Sequence, residues 1–343
     1  MKYALAILFL IPLSSSADVV APSSVGTDTI WSSEYGTYVI EGQMSIATGT
    51  TLTVLPGTII KIKSNSGIFV DGKIVADSSG TSTPIIFTSF DDDEYGGDTN
   101  QNSTSTIPNG RNWLGIVFNQ GSIGEFNNVI IKYSGQTMFG TNVLTGLIVN
   151  SANLTIQNSL LSSNGRHGFA NIGGEINMSN SIIENNIFGV YTESGITNLN
   201  KNIIRNNSLE GIHASIYGEL NLLDNQFVSN QSTGLVAAGV KFIHIGNTSL
   251  DQINRGFNTL GVPLDGQVIG GKDLPLIISG GFISIATGTS VAILPGTVIK
   301  FDYTGSLEVS GILNIDGEKN SEVIFTSIKD DSVSGDTNND GSL

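Results

Sequence analysis

The chain has 343 residues, of which 39% are hydrophobic and 13% are charged, with no cysteine and a formal net charge of −15. This apolar fraction is enough for a packed core, which argues against an intrinsically disordered chain. An acidic surface repels phosphate backbones, so the composition excludes a nucleic-acid binder.

The first 17 residues predict an export signal. Lys2 supplies a positive start, residues 3–13 form an apolar run, and residues 15–17 are small. These are the three parts of a secretory signal peptide that is cut after Ala17. The apolar run is too short to span a bilayer, and no later segment is long enough. We therefore expect a mature chain that is secreted or held at the cell surface, with no membrane span.

From residue 30 onward, short apolar runs alternate with turn residues. The runs have the length and residue types of β-strands, and they are too short for helices. The sequence Leu-Pro-Gly-Thr at 55–58 is a tight turn, because Pro fixes φ and Gly accepts a positive φ. A polar, acidic excursion covers residues 91–111, and the strands resume at Trp113 and continue to about residue 133.

The segment 153–245 repeats one pattern of short strands and turns four times. The spacings between its marker asparagines are 22, 21 and 23 residues, and the residues are Asn164, Asn186, Asn207 and Asn230. A fixed period of this size indicates stacked coils, in which like residues lie above one another at about 4.8 Å. The four side chains are therefore predicted to form an amide ladder. The alternative is that they are unrelated turn residues.

The opening of the chain returns near its end. Segments 45–50, 55–58, 86–89 and 97–100 reappear at 284–289, 294–297, 324–327 and 335–338. The offset is 239 residues at first and 238 later, so a single-residue deletion separates the two copies. This pattern is a duplication of a block of coils.

One solenoid is therefore predicted over residues 18–343. It comprises the first copy with its following coils at 30–133, the regular coils at 153–245, and a second, truncated copy at 274–343. The second copy stops before any equivalent of Trp113, and an open solenoid end exposes unpaired backbone. We therefore expect further coils or a C-terminal sorting domain beyond Leu343, the alternative being a natural end.

Coils of roughly 22 residues with an internal asparagine ladder resemble the right-handed parallel β-helix of the pectin-lyase-like superfamily. The resemblance covers nearly the whole mature chain and implies an all-β, right-handed parallel β-helix. It says little about activity, because that superfamily includes lyases, hydrolases, adhesins and phage tailspikes.

A calcium loop is predicted near the C-terminus. Asp336, Asn338 and Asp340 place oxygen ligands at positions one, three and five before a glycine. This spacing is that of the first half of an EF-hand-like loop, and it resembles the loops of dockerin and thrombospondin type 3 repeats. The distal bidentate acid is missing, and Asp330 or Asp331 could supply it only if the loop folds back.

The first copy predicts a second calcium site from Asp92, Asp93, Asp98 and Asn100. Five acidic side chains fall within eight residues there, and such crowding is costly without a cation. The departure from the motif is Ser103, which replaces the glycine. For both sites the alternative is a solvated acidic loop.

Catalytic groups are sparse in this sequence. The superfamily resemblance implies clustered Asp residues with His, Arg or Lys for a hydrolase, and an acidic calcium site with a basic residue for a lyase. The histidines are His167, His213 and His244, and the first two take different positions relative to their turn glycines. Glu184 and Arg205 share one column of adjacent coils and are expected to form a surface ion pair.

Three aromatic residues are candidates for stacking on sugar rings, namely Trp31, Tyr191 and Tyr217. Trp113 lies within an apolar strand, so packing in the core is its expected role.

Two functions from different classes fit these observations. The first is a non-catalytic surface or secreted scaffold, similar to an adhesin, that binds calcium and an extracellular glycan or surface partner. The second is a polysaccharide lyase or glycoside hydrolase, which rests on the superfamily resemblance alone. A carbohydrate-binding module without chemistry is a third possibility.

Overall fold

The computed structural model describes residues 18–103, 105–136, 145–238, 241–250, 254–260, 267–270 and 274–341. The predicted signal peptide lies outside these ranges. Within them, no helix is long and apolar enough to cross a membrane.

The described chain is built from 34 strands and one 3₁₀ turn at Ser33–Tyr35. In chain order the strands are β1 Val19–Val20, β2 Ser24–Val25, β3 Thr29–Trp31, β4 Tyr38–Ile40, β5 Gln43–Ile46, β6 Thr51–Val54, β7 Ile59–Ile62, β8 Gly67–Val70, β9 Lys73–Asp77, β10 Ile85–Ser89, β11 Ile116–Phe118, β12 Ile123–Asn127, β13 Val129–Lys132, β14 Thr145–Val149, β15 Asn153–Gln157, β16 Leu160–Ser162, β17 His167–Ser179, β18 Ile182–Glu184, β19 Phe188–Asn200, β20 Ile203–Arg205, β21 Ile212–Leu223, β22 Gln226–Val228, β23 Thr233–Ala238, β24 Lys241–Ile245, β25 Thr248–Leu250, β26 Asn254–Leu260, β27 Val268–Ile269, β28 Leu276–Ser279, β29 Phe282–Ile285, β30 Ser290–Ile293, β31 Val298–Phe301, β32 Ser306–Val309, β33 Ile312–Ile315 and β34 Ile324–Ser327.

Except for β29 and β32, which pair only with each other, these strands stack in parallel on three faces of a solenoid of about 12 coils. The first face runs from β1 through β4, β7, β10 and β13 to β25. The second face runs from β3 through β6, β9, β12 and β15 into the C-terminal halves of β17, β19 and β21. The third runs from β2 through β5, β8, β11 and β14 into the N-terminal halves of the same three strands. The predicted all-β parallel solenoid is confirmed.

The hydrophobic core is one continuous column inside the coils. On the second face, Ile156, Met178, Leu199 and Leu222 lie directly above one another, and each is at most 1% exposed. Alternate residues of these strands point outward, which follows from the two-residue period of a strand. Because a single coil has no partner for its apolar side, the stacking itself provides the burial that stabilises the fold.

The four marker asparagines form a buried ladder at one corner of the coils. The backbone N–H of Asn164 donates to Oδ1 of Asn186 at 2.9 Å, that of Asn186 to Asn207 at 3.1 Å, and that of Asn207 to Asn230 at 3.2 Å. Asn207 Nδ2 also donates to the carbonyl of Ile183 at 3.3 Å and to Asn230 Oδ1 at 2.8 Å. The side-chain amides therefore provide hydrogen-bond partners for buried backbone N–H and C=O groups of the neighbouring coils.

A second ladder, which the sequence pattern did not reveal, occupies the corner between the second and first faces. Ser159 N donates to Oγ of Ser181, Ser181 N to Oδ1 of Asn202, Asn202 N to Asn225 and Asn225 N to Asn247, at 2.8–3.1 Å. All five side chains are buried. The ladder position is occupied by serine in the first two of these coils and by asparagine in the next three. Because the residue type changes, the sequence does not show this position as a repeat.

Part of the second copy of the duplicated block lies on a different face from its equivalent in the first copy. Strands β28, β31 and β34 are the sequence equivalents of β4, β7 and β10, which lie on the first face. They continue the third face instead, through pairing of β26 with β28. In contrast, β30 and β33, the equivalents of β6 and β9, lie on the second face as those two strands do, so only part of the block has changed its position around the axis.

The predicted ion pair between adjacent coils is confirmed. Glu184 and Arg205 are register partners, and Arg205 Nε lies 2.6 Å from Glu184 Oε2. Partly exposed pairs of this kind contribute little to stability.

Replacing the central ladder residue is expected to destabilise the solenoid strongly. Asn207→Ala removes the acceptor of Asn186 N, the side-chain donor to the Ile183 carbonyl and one of the two donors to Asn230 Oδ1, which should cost about 3 kcal/mol. Urea unfolding followed by circular dichroism measures the change. The control is Asn314→Ala, because Asn314 is exposed on β33, and it should change the midpoint little. Equal midpoints for the two variants would contradict a stabilising ladder.

Candidate metal centre

The acidic loop after β34 is folded around the carboxylate of Asp336. Its Oδ2 accepts from the backbone N–H of Gly341 at 3.0 Å, and its Oδ1 accepts from that of Asp340 at 3.3 Å. These hydrogen bonds help to lower the pKa of Asp336, so the carboxylate form is favoured. Asn338 Oδ1 also accepts from Asp340 N, at 3.4 Å. The three predicted ligand residues therefore converge on one loop.

The loop folds back so that Asp331 joins this group. Ligand oxygens of Asp331, Asp336 and Asp340 all lie within 4.8 Å of one another. Both carboxylate oxygens of Asp331 and Oδ1 of Asp340 are buried and accept no hydrogen bond from the described residues. Buried, unpaired carboxylate oxygens are costly, and a cation among them would remove that cost.

A buried lysine holds the loop against the solenoid. Lys300 on β31 is fully buried, and its Nζ donates to the carbonyls of Asp330 and Gly335, both at 2.9 Å, and to Thr337 Oγ1 at 3.1 Å. Burial lowers the pKa of Lys300, while the nearby carboxylates Asp331, Asp330 and Asp336 act in the opposite direction. The ammonium group therefore fixes both ends of the acidic segment.

The first copy repeats this arrangement. Lys61, the equivalent of Lys300, is fully buried and its Nζ donates to the Gly97 carbonyl. Asp98 accepts from the backbone N–H groups of Asn102 and Ser103, at 3.0 and 2.8 Å. Ser103 has φ +57°, in the same left-handed region as its equivalent glycine in the second copy, at +82°. The serine therefore carries some strain but keeps the shape of the loop.

Unpaired oxygens recur at equivalent positions of the first loop. Asp93 Oδ1 and Asn102 Oδ1 are buried and accept no hydrogen bond from the described residues. Their equivalents are Asp331 and Asp340 in the second loop. The same two positions thus lack a donor in both copies, although one residue has changed from Asp to Asn.

The prediction that Asp92 is a ligand does not fit the structure. Asp92 is 2% exposed, and it accepts from Thr88 Oγ1 at 2.5 Å and from the Glu94 backbone N–H at 3.1 Å. Asp330, its equivalent, binds Thr326 Oγ1 in the same way at 2.6 Å. Both oxygens of Asp92 are engaged in shaping the turn, which leaves Asp93, Asp98, Asn100 and Asn102 as the candidate ligands of the first loop.

Asn100 is close to this group but has other partners. Its Oδ1 accepts from the backbone N–H of Asn102 at 3.3 Å, while its Nδ2 donates to Asp91 Oδ1 at 3.1 Å. The Oδ1 atom has a further lone pair that a cation could use.

The roles of the two lysines were not predicted from the sequence, and Asp331 was expected to join the ligands only if the loop folds back. Aligning the two copies would have indicated them, because each position keeps its residue type across the duplication. The position of Asp331 next to Asp336 and Asp340 depends on tertiary contacts, which the local sequence around Asp331 does not indicate.

Two of the three predicted sugar-stacking residues have a described side chain. Trp31 is 3% exposed and stacks on Tyr38, with ring centroids 4.5 Å apart. This packing in the core leaves no ring face for a sugar, so the expectation for Trp31 is wrong. Tyr191 is partly exposed and lies between two imidazoles, 5.0 Å from His167 and 5.9 Å from His213. The side chain of Tyr217 lies outside the described residues.

Two of the three histidines, His167 and His244, are buried in the solenoid. His167 is 3% exposed, and burial, followed by the charges of Arg166 and His213, lowers its pKa to about 3. His244 is fully buried, and burial lowers its pKa to about 4. The side-chain amide of Asn247 donates through Nδ2 to Nδ1 of the His244 ring at 2.8 Å, and Nε2 of that ring lies 3.1 Å from the Leu274 carbonyl. Both rings are therefore neutral near pH 7.

Comparison with known proteins gives two weak structural similarities. No protein-family model and no curated protein matches the chain. A mutant of the periplasmic alginate epimerase AlgG is 15% identical, with 85% of this chain and 74% of that chain covered at a TM-score of 0.30. The A-module of the mannuronan C-5 epimerase AlgE6 from Azotobacter vinelandii is 11% identical, with 88% and 91% covered at 0.24. Values this low describe a likeness in fold only.

Lowering the pH from 7.5 to 5.5 is expected to destabilise the protein. The unfolded chain protonates its histidines below about pH 6.5, whereas the pKa values of folded His167 and His244 are about 3 and 4. The unfolded state therefore binds more protons, and the stabilisation present above pH 6.5 is lost as the pH falls, by up to about 1.4 kcal/mol per pH unit for each histidine. Urea unfolding at several pH values measures this slope. His244→Gln should flatten it, and a flat wild-type profile would contradict the assignment.

Proposed function

We propose that this chain is an exported, non-catalytic scaffold of the right-handed, pectin-lyase-like β-helix type, whose two acidic loops bind calcium. The observation that carries the calcium assignment is the recurrence of buried, unpaired oxygens at equivalent positions, Asp93 with Asn102 and Asp331 with Asp340. The recurrence includes a position whose residue differs between the copies, Asn102 in the first and Asp340 in the second.

The chemistry of the donors favours calcium over other metals. All donors are carboxylate or amide oxygens, which are the ligands of hard cations, and Ca²⁺ accepts them in flexible geometry. Asp331 offers two free oxygens, so it can act as the bidentate acid that the linear motif lacks. Calcium would also screen the repulsion between carboxylates that lie within 4.8 Å of one another.

The two sites should differ in affinity. The second loop offers three carboxylates, from Asp331, Asp336 and Asp340, whereas the first offers two because Asn102 replaces the third. Affinity for calcium rises with the number of charged ligands, and extracellular modules bind in the range of about 10⁻⁴ to 10⁻³ M. The second site is therefore the tighter one.

A scaffold function agrees with the low reactivity of the groups described. His167 and His244 are buried and neutral, and Lys61 and Lys300 are engaged with loop carbonyls. Such groups hold structure in place and are not free to exchange protons with a substrate. The predicted signal peptide and the acidic surface fit a rod displayed outside the cell, where millimolar calcium is present.

Calcium titration of the chelator-treated full chain by calorimetry tests the proposal. Two binding steps are expected, and thermal unfolding should shift to higher temperature with millimolar calcium. Asp331→Asn should weaken the tighter step at least tenfold, since it removes a charge and a free carboxylate, and Asp93→Asn should weaken the other. Asp316→Asn is the matched control, because Asp316 is exposed outside both loops.

The outcomes separate the hypotheses. Absence of any heat or thermal shift with calcium would contradict metal binding. The same protein is incubated with pectin, alginate and chondroitin in the presence of calcium. Release of reducing ends or unsaturated products would overturn the non-catalytic assignment in favour of a polysaccharide lyase or glycoside hydrolase.

A further inference from the structure

The outward side of the second face carries a continuous set of amide and hydroxyl groups across four coils. These residues come from β15, β17, β19 and β21, and they are separate from both acidic loops. We call this surface the amide face, and its members are Thr155, Gln157, Asn177, Ser179, Asn198, Asn200 and Asn221.

The amides on this surface are already aligned along the solenoid axis. Asn221 Nδ2 donates to Asn198 Oδ1 at 2.7 Å, and Asn198 Nδ2 donates to Asn177 Oδ1 at 2.8 Å. Oδ1 of Asn221 accepts no hydrogen bond from the described residues. This external ladder therefore holds its side chains in fixed orientations and still needs a donor at one end.

The surface is concave and has apolar elements at its edges. The amide face lines a depression with a volume of about 290 Å³. Ile196 is 38% exposed and Leu223 is 36% exposed, each on a strand that contributes amides. Fixed polar groups beside exposed aliphatic groups are a combination that suits sugar rings, which present both hydroxyl and C–H surfaces.

The charge of this surface selects against anionic chains. The amide face has no charged residue, although the chain as a whole carries −15. Glu175 and Glu219 lie along one edge, where they accept from Asn177 Nδ2 and Asn221 Nδ2, both at 3.2 Å. Carboxylates at the edge accept hydrogen bonds from hydroxyl groups but repel uronate carboxylates.

We propose that the amide face binds a neutral, extended polysaccharide that runs along the solenoid axis. Successive coils are about 4.8 Å apart, close to the length of one sugar ring in an extended chain. Equivalent amides can therefore meet equivalent hydroxyl groups of successive sugars. The proposal deepens the proposed function, since it rests on an extracellular location, but it does not depend on calcium binding.

Affinity electrophoresis of the full chain tests this inference. Native gels contain a neutral polysaccharide, namely xyloglucan, galactomannan or mixed-linkage β-glucan, or an anionic one, polygalacturonate or alginate. Retardation is expected with at least one neutral polysaccharide and not with the anionic ones. Asn198→Asp introduces a charge and removes a donor, so it should raise the dissociation constant about tenfold or more.

Two further variants guard against a folding artefact. Asn200→Asp changes an exposed side chain at the border of the depression and should weaken binding without loss of the circular dichroism spectrum. Asn314→Asp adds the same charge to an exposed strand position outside the amide face, and it should bind as the wild type does.

Several results would overturn the inference. They are retardation by none of the neutral polysaccharides, retardation by the anionic ones alone, or unchanged binding by Asn198→Asp and Asn200→Asp. Self-association in sedimentation velocity that Asn198→Asp abolishes would instead assign the surface to a second copy of the chain. Calcium titration of the same samples shows separately whether the acidic loops bind calcium, so failure of one proposal can be told from failure of the other.

Discussion

The hydrogen bond between one coil and the next is the interaction on which this structure depends. Each coil turns three corners, and a buried corner leaves backbone groups that strand pairing cannot satisfy. The ladders at Asn164–Asn230 and Ser159–Asn247 supply those missing partners from the neighbouring coil. With its corners satisfied in this way, the solenoid can bury a continuous core with no α-helix among the residues that the structure describes, and the sequence has no cysteine for a disulfide.

The same constraint explains where chemistry can occur. Residues that point inward pack in the core, and residues at the corners form the ladders. Side chains that could bind a ligand are therefore found at outward strand positions and in the loops that leave the coils. Both acidic loops are excursions, each held by a lysine whose ammonium is buried in the wall, Lys61 or Lys300. The amide face uses the outward positions instead. Calcium and a polysaccharide would therefore bind to different parts of the repeat without competing for residues.

The sequence predicted the architecture better than the site. The period of Asn164, Asn186, Asn207 and Asn230 indicated parallel coils, because a solenoid places like residues above like residues. The second ladder was missed because a serine hydroxyl can replace the amide oxygen as acceptor. Trp31 was misassigned because exposure depends on a stacking partner, Tyr38, that strand patterning does not reveal. The fold-back of Asp331 likewise follows from the buried lysine, which is thirty-one residues away along the chain.

The lysine and its acidic loop form a self-contained module. Every partner of Lys300, and every proposed ligand, comes from the 41 residues between Lys300 and Asp340. The lysine kept its contacts with the loop although its strand lies on the third face in the second copy (β31) and on the first face in the first copy (β7), so these contacts do not require one particular neighbouring strand. Gene duplication could therefore spread such a cassette along a lengthening rod, and an engineer could transplant it into another parallel solenoid as a ready-made cation clamp.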